Sequence, residues 1–260
     1  MKIIVAIKQV PLRDSSFRVA AAGTWIDESG LEFEMNEPDA YALEAALQLK
    51  ENHTSQAPGE VIVLCLGPQR AAQTIREALA KGADRAIHIE TEVLASLDTL
   101  GVAKLLAAAA APEKPDLILT GLQSDDLGSG QTGVVMAELM GLAHSTIIMQ
   151  VEVQDARIRV KRELENGWFQ HIEMPLPAVL TMQSGSSKLR YATLMGIKKA
   201  KTKEVRTLTP ADLGGMPAPV VVVEKIYAPH KSKQTRLFEG DPQTAAARLV
   251  EKLKFEARVL

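Results

Sequence analysis

The chain has 260 residues, 46% of them hydrophobic, and a formal net charge of −2. Such a length and apolar content suffice for one large domain or two small ones with a real core. Near-neutrality with acids and bases interspersed excludes the electrostatic footprint of a nucleic-acid or anionic-membrane binder, and no apolar run nears the ~20 residues that span a bilayer.

Met1 leads straight into KIIVAIK. That leaves no room for a secretory signal and sets the expectation of a cytoplasmic protein without membrane insertion. IIVAI (3–7) reads as a first strand. The segment PDAYALEAALQLKEN (38–52) reads as a helix with an apolar stripe of Ala42, Leu43, Ala46, Leu47 and Leu49, and Asn36 stands where a cap is expected. VIVLCL (61–66) is a second strand; its Cys65 is the single cysteine, so no intrachain disulfide forms and the apolar context argues against a nucleophile. Gly67-Pro68 opens a helix that Gly82 stops, RAIHIE (85–90) is the next strand, and an alanine-rich helix ends near Pro112.

DLILT (116–120) is a strand buried on both faces. GLQSDDLGSGQTG (121–133) follows, and then a helix to about Gly141. Alternating strands and helices of this kind predict an open, mainly parallel sheet with helices on both faces, an α/β fold. From about residue 145 three β-branched runs, with ENG (165–167) as a turn, predict an antiparallel extension. PAVLTM (177–182) returns to the core pattern. The polar, basic stretch 183–204 reads as a loop or short helix, and the tail as an arm ending in an amphipathic helix, DPQTAAARLVEKLKFE. The expected organisation is a nucleotide-binding domain over 1–222 and an arm over 223–260.

In such sheets ligands bind beyond the carboxyl ends of the strands, at helix N-termini that hold a phosphate without a basic side chain. The 121–133 turn meets those conditions. Gly128, Gly130 and Gly133 allow close backbone approach, and Ser129, Gln131 and Thr132 add donors. It is neither a Walker loop nor the dinucleotide fingerprint. The alternative is a turn that holds no ligand, with Ser129 merely capping the helix. Asp125 and Asp126 suit a ribose, a metal or simple turn formation. His53, His88, His144, His171 and His230 fall in unrelated elements without metal-ligand spacing, so no metal site and no catalytic constellation is expected.

Over nearly its whole length the chain resembles the β subunit of electron-transfer flavoproteins. The resemblance is carried by VAIKQV (5–10), MNEPDAYALEAALQLKE (35–51), GPQRAAQTIREALAKGADRAIHIE (67–90), the 121–133 turn, LPAVLTM (176–182) and RYATLMGIKKAK (190–201). It implies an adenine-nucleotide α-hydrolase-like fold and a heterodimer whose α subunit holds most of a redox FAD site. The β subunit would bury AMP, dock acyl-CoA-type dehydrogenases of fatty acid β-oxidation, and relay electrons towards a membrane-associated quinone oxidoreductase. It implies an electron carrier rather than an enzyme, and it leaves the mitochondrial matrix open as a compartment. In bifurcating relatives a second FAD able to exchange hydride with NADH replaces AMP.

Residue by residue, the resemblance places Ala6, Asn36 and Leu66 around the nucleotide, with Gln123, Asp126 and Gly128–Gly133 about its phosphate. Leu194 becomes the apolar anchor for a partner dehydrogenase, flanked by Arg190 and Tyr191, although alone it is an ordinary loop leucine. Glu163 matches a carboxylate linked to partner release, and alone is a surface charge. Arg13 stands where better-known members place an aromatic near the flavin, and either a flavin-directed cation or a salt bridge to the α subunit fits it. MGI (195–197) replaces PNI. The turn mixes features of AMP-binding and bifurcating members, and KQVP (8–11) also occurs in the latter; AMP is the favoured reading. A stand-alone ATP-binding stress-type protein is the third reading.

Overall fold

Lys2–Ile7 forms the first strand, β1, in the computed structural model, which describes residues 1–52, 59–154, 156–229 and 235–260; His53 and His230 lie outside them. After it come β2 (Gln9–Pro11), β3 (Phe33–Met35), α1 (Glu37–Asn52), β4 (Glu60–Gly67), α2 (Ala72–Lys81), β5 (Arg85–Glu90), α3 (Thr99–Ala110) and β6 (Leu117–Gly121). The chain continues with α4 (Thr132–Met140), β7 (Ala143–Gln154), β8 (Arg157–Glu163), β9 (Phe169–Pro175), β10 (Ala178–Met182), α5 (Leu194–Ala200), β11 (Val205–Leu208) and α6 (Pro242–Phe255).

A nine-stranded sheet runs β11-β5-β4-β1-β6-β10-β7-β8-β9. It is parallel as far as β7, which pairs in parallel with β10 and antiparallel with β8. The mainly parallel α/β fold with an antiparallel extension is therefore the observed one. Alternation along β1 assigns its faces: Ile3, Val5 and Ile7 join the buried cluster built with α1 and α2, while Ile4 joins the cluster under α3 and α4. Helices thus cover both faces, as a parallel sheet requires.

Two elements were not visible in the residue pattern. The β2–β3 ribbon is three residues a side, and β11 is a four-residue edge strand pairing in parallel with β5. Both are too short to show a period.

The chain divides into a unit Met1–Ile226 and a unit Tyr227–Leu260. Asp98 explains why the Pro-rich stretch before that division belongs to the first. Its carboxylate caps α3 through Gly101 N at 2.7 Å and also accepts from Val220 N and Val221 N at 2.7 and 3.0 Å. In the second unit, Asp241 caps α6 through the backbone N–H groups of Gln243 and Thr244, with Pro242 at the first helical position. Among the described residues no helix is long and apolar enough to cross a membrane.

Candidate functional site

The 121–133 turn lies beyond the carboxyl ends of β1, β4 and β6, and the start of α1 holds it there. Asn36 is buried, and its carbonyl accepts the first helical N–H bonds from Asp39 and Ala40 at 3.1 Å each. Its side chain does not cap α1. Instead Nδ2 donates to Gln123 O at 3.0 Å and Oδ1 accepts from Asp125 N at 2.9 Å. Asp125 returns the favour, its Oδ2 accepting from Glu37 N at 3.3 Å. Helix start and turn therefore satisfy each other's orphan groups.

One helical step on, the carboxylate of Asp39 bridges two strand ends. Oδ2 accepts from Lys8 N at 2.7 Å, just past β1, and Oδ1 from Gly121 N at 2.9 Å, at the end of β6. Burial pushes the Asp39 carboxyl up to about 7, against the pull of its hydrogen bonds to Asn36, Lys8 and Gly121. Any Cβ at position 121 would run into Asp39 and Pro38, so the close approach of α1 to β6 requires glycine there.

The phosphate-binding potential lies at α4. Its cap position is Gln131, in helical backbone conformation and without a side-chain cap. Ser129 is thus not the cap. Gly128 and Gly130 have φ of +62° and +63°, a left-handed geometry that other residues adopt only at a cost. Gly133 has a different reason: a Cβ there would stand 2.7 Å from Thr120 Oγ1 and Thr181 Cγ2. It seats α4 on β6 and β10 rather than admitting a ligand. Thr132 is half-buried beside it, and Gln123 and Ser129 are exposed.

Asp126 forms an ion pair with Lys8 Nζ at 2.7 Å. Burial is the largest influence and works against its charge, but the Lys8 charge together with hydrogen bonds from Lys8, Ser124 and the Leu127 backbone holds the carboxyl below the usual range. An ionised carboxylate repels a phosphate and accepts from a hydroxyl, so its chemistry suits a sugar rather than the phosphate. Ala6 and Leu66 keep 7% and 9% exposure where their strand neighbours are closed off, and they supply an apolar floor at the same strand ends. Cys65, beneath them, has its thiol pushed up to about 12 by burial and then by the Asp39 charge, which makes it inert. Among the described residues no group of metal-ligating side chains converges.

Arg13 bonds to Glu37 and lies 3.5 Å from Asp125 Oδ1. These two carboxylates hold its basicity above the usual value. Its charge is compensated within the chain, so neither role expected of it is needed to account for its position.

The residues expected to dock a partner lie elsewhere. α1 runs from the turn to the amino ends of the strands, where Lys50 bonds to Asp84 just before β5, α2 ends and α5 packs against α2. Leu194 opens α5 and is 88% exposed, and Tyr191 before it is 90% exposed. Arg190 is not free beside them: its guanidinium bonds to both Glu44 and Glu51 of α1. Glu163 is not with them either. It accepts from Gln183 Nε2 at 3.0 Å, at the start of the loop whose far end carries Leu194. Residue reasoning missed Lys8, Asp39, Glu44 and Glu51. The only local signal was the spacing of Glu44 and Glu51, seven residues apart on one helix face.

A family profile described as the electron transfer flavoprotein domain matches residues 23–213. The protein from Methylophilus methylotrophus named electron transfer flavoprotein subunit beta is 34% identical over 259 residues, covering 96% of this chain and 97% of that one. The protein of the same name from Bradyrhizobium diazoefficiens is 36% identical over the full length of both. The one from Homo sapiens is 37% identical over 216 residues, covering 82% of this chain and 83% of its own.

Proposed function

Because the chain belongs to the electron transfer flavoprotein β-subunit family, we propose that it forms a heterodimer with an α subunit, seats AMP in the 121–133 turn, and docks acyl-CoA-type dehydrogenases through Leu194. The observation that carries the nucleotide reading is the N-terminus of α4, left without a side-chain cap beneath two left-handed glycines. Unpaired N–H groups and the positive end of the helix dipole favour a phosphate there.

The residues fit a mononucleotide. Asp126, paired with Lys8 and held below the usual carboxylate range, accepts from ribose hydroxyls; Ala6 and Leu66 offer an apolar surface to the base. A second phosphate would have to sit close to the negative Asp126, and this favours AMP over a second FAD. FAD bound largely by the α subunit supplies the one- and two-electron exchange. What this chain contributes is its own folded surface: a nucleotide-stiffened turn, a docking tip, and an arm from Tyr227 whose amphipathic helix packs on the α subunit. Electrons then pass to a quinone oxidoreductase.

The test is to co-express the chain with its α partner, denature the purified yellow complex and quantify the released nucleotides by chromatography. One FAD and one AMP per heterodimer are expected. Two FAD and no AMP would replace this reading with a bifurcating, NADH-oxidising one, and one FAD with no other nucleotide would remove the turn as a nucleotide seat.

A further inference from the structure

Tyr191, Leu194 and Met195 form an apolar tip on the surface, with the cations Lys188, Lys198 and Lys199 exposed around it. A mobile loop carrying such side chains folds them onto its own domain. Here they stand out because both ends of the segment are fastened.

On the α5 side, three fastenings meet the end of α2. Gly196 lies so close to the Ala80 carbonyl that no Cβ fits. Lys203 Nζ donates to Leu79 O at 2.9 Å and to Ala83 O, and Arg76 Nη1 donates to Ala200 O at 2.6 Å and Lys203 O at 3.0 Å. On the loop side a single residue does the work. Arg190 Nε bonds to Glu44 Oε2 at 2.8 Å and Nη2 to Oε1 at 3.1 Å, while Nη1 and Nη2 reach Glu51 at 2.6 and 3.0 Å. Its backbone N–H also donates to Glu44 at 3.2 Å. Glu44 is only 5% exposed, and Gln48 donates to it at 2.8 Å. Burial raises the Glu44 carboxyl, yet the Arg190 and Gln48 bonds together outweigh burial and hold it below its usual range. A guanidinium whose fork is filled by two carboxylates has little left to offer a third group.

We propose that Arg190 is a positioning residue: clamped to Glu44 and Glu51 of α1, it fixes the Tyr191–Leu194 tip in the shape that meets a partner and does not itself touch that partner. This rests on the docking reading of Leu194. Fastening the tip before encounter removes the ordering cost of association, so the clamp sets affinity for the partner rather than the rate of electron transfer once docked.

The experiment uses the heterodimer as electron acceptor for a purified acyl-CoA dehydrogenase. It compares wild type with Leu194→Ala, Arg190→Gln, Arg190→Lys, Glu51→Gln and the Arg190→Gln/Glu51→Gln double variant, and measures amide exchange over residues 188–193. Arg190→Gln is expected to raise KM for the heterodimer about tenfold with kcat nearly unchanged, the lysine variant to recover part of it, and the double variant to be no worse than Arg190→Gln alone. Exchange over 188–193 should quicken in Arg190→Gln and stay at the wild-type rate in Leu194→Ala. A double variant with additive defects, or unchanged exchange in Arg190→Gln, would overturn the clamp while a raised KM in Leu194→Ala left the docking reading standing. An unchanged KM in Leu194→Ala would overturn the docking reading and this proposal with it.

Discussion

The 121–133 turn and the Tyr191–Leu194 tip are both held by α1, yet they are built in opposite ways. At the start of the helix, Asn36 and Asp39 hold the turn through backbone groups: Gln123 O, Asp125 N, Lys8 N and Gly121 N. Towards its end, Glu44 and Glu51 hold the tip through one arginine side chain. From Asp39 to Glu51 is about 18 Å at the ~1.5 Å rise of a helix. The first arrangement places backbone N–H groups closely and matches buried polar atoms. The second displays a convex apolar tip, for which one strong side-chain tether is enough. Backbone satisfaction fixes a turn in place, and side-chain tethering makes a projection.

This contrast breaks most readily at Gly121. In Gly121→Ala the new methyl would strike Asp39 and Pro38, and overpacking of this kind costs about 3 kcal/mol. Thermal unfolding of the heterodimer should fall accordingly, with AMP lost on purification; an unchanged melting temperature would show that α1 and β6 can separate freely.

Asn36→Ala is expected to be milder. It leaves Gln123 O and Asp125 N without their partner, at roughly 1–3 kcal/mol, and should weaken AMP retention while KM for the dehydrogenase stays at the wild-type value. If docking suffered equally, the two ends of α1 would not be independent supports.

Asp39→Asn sharpens the comparison through pH. The carboxyl is raised in the folded state to about 7 from an ordinary 3.8. Its stabilising contribution is therefore complete below about pH 4 and is lost as pH rises towards 7 and through it. The asparagine variant, with one acceptor in place of two, should be less stable at low pH. Its deficit should shrink between pH 4 and pH 7 and flatten above. Melting curves of both proteins across that range check this, and a deficit that grew with pH would contradict it.

Arg13→Ala is the smallest expected change. The side chain is exposed and its partners are solvated, so melting temperature, AMP content and flavin content should all match wild type. A changed flavin spectrum would instead restore the flavin-directed role.

Most of the sheet was legible in the residues because buried parallel strands are short apolar runs, such as IIVAI and VIVLCL, set between helical stripes. The glycine-rich turn was legible as well, as a run of small and polar residues between a strand and a helix. The reasons for individual glycines were not. Gly128 and Gly130 answer to backbone conformation, Gly121 and Gly133 to neighbours far away in sequence. The anchoring of the tip was hidden for the same reason: Arg190 lies 146 residues from Glu44, and nothing local marks an arginine as a clamp rather than a free surface charge. Asn36 looked like a helix cap and its backbone serves as one, but its side chain is spent on the turn. Local pattern finds which segments matter, whereas the partner of each polar side chain is set by the fold.

The start of α4, beneath the 121–133 turn, is the proposed phosphate seat. Amide hydrogen exchange on the heterodimer, stripped of nucleotide and then supplied with AMP or with adenosine, tests it most directly. Slowed exchange over residues 128–135 is expected with AMP, and little change there with adenosine. Equal protection by the two, or protection confined to other segments, would contradict it.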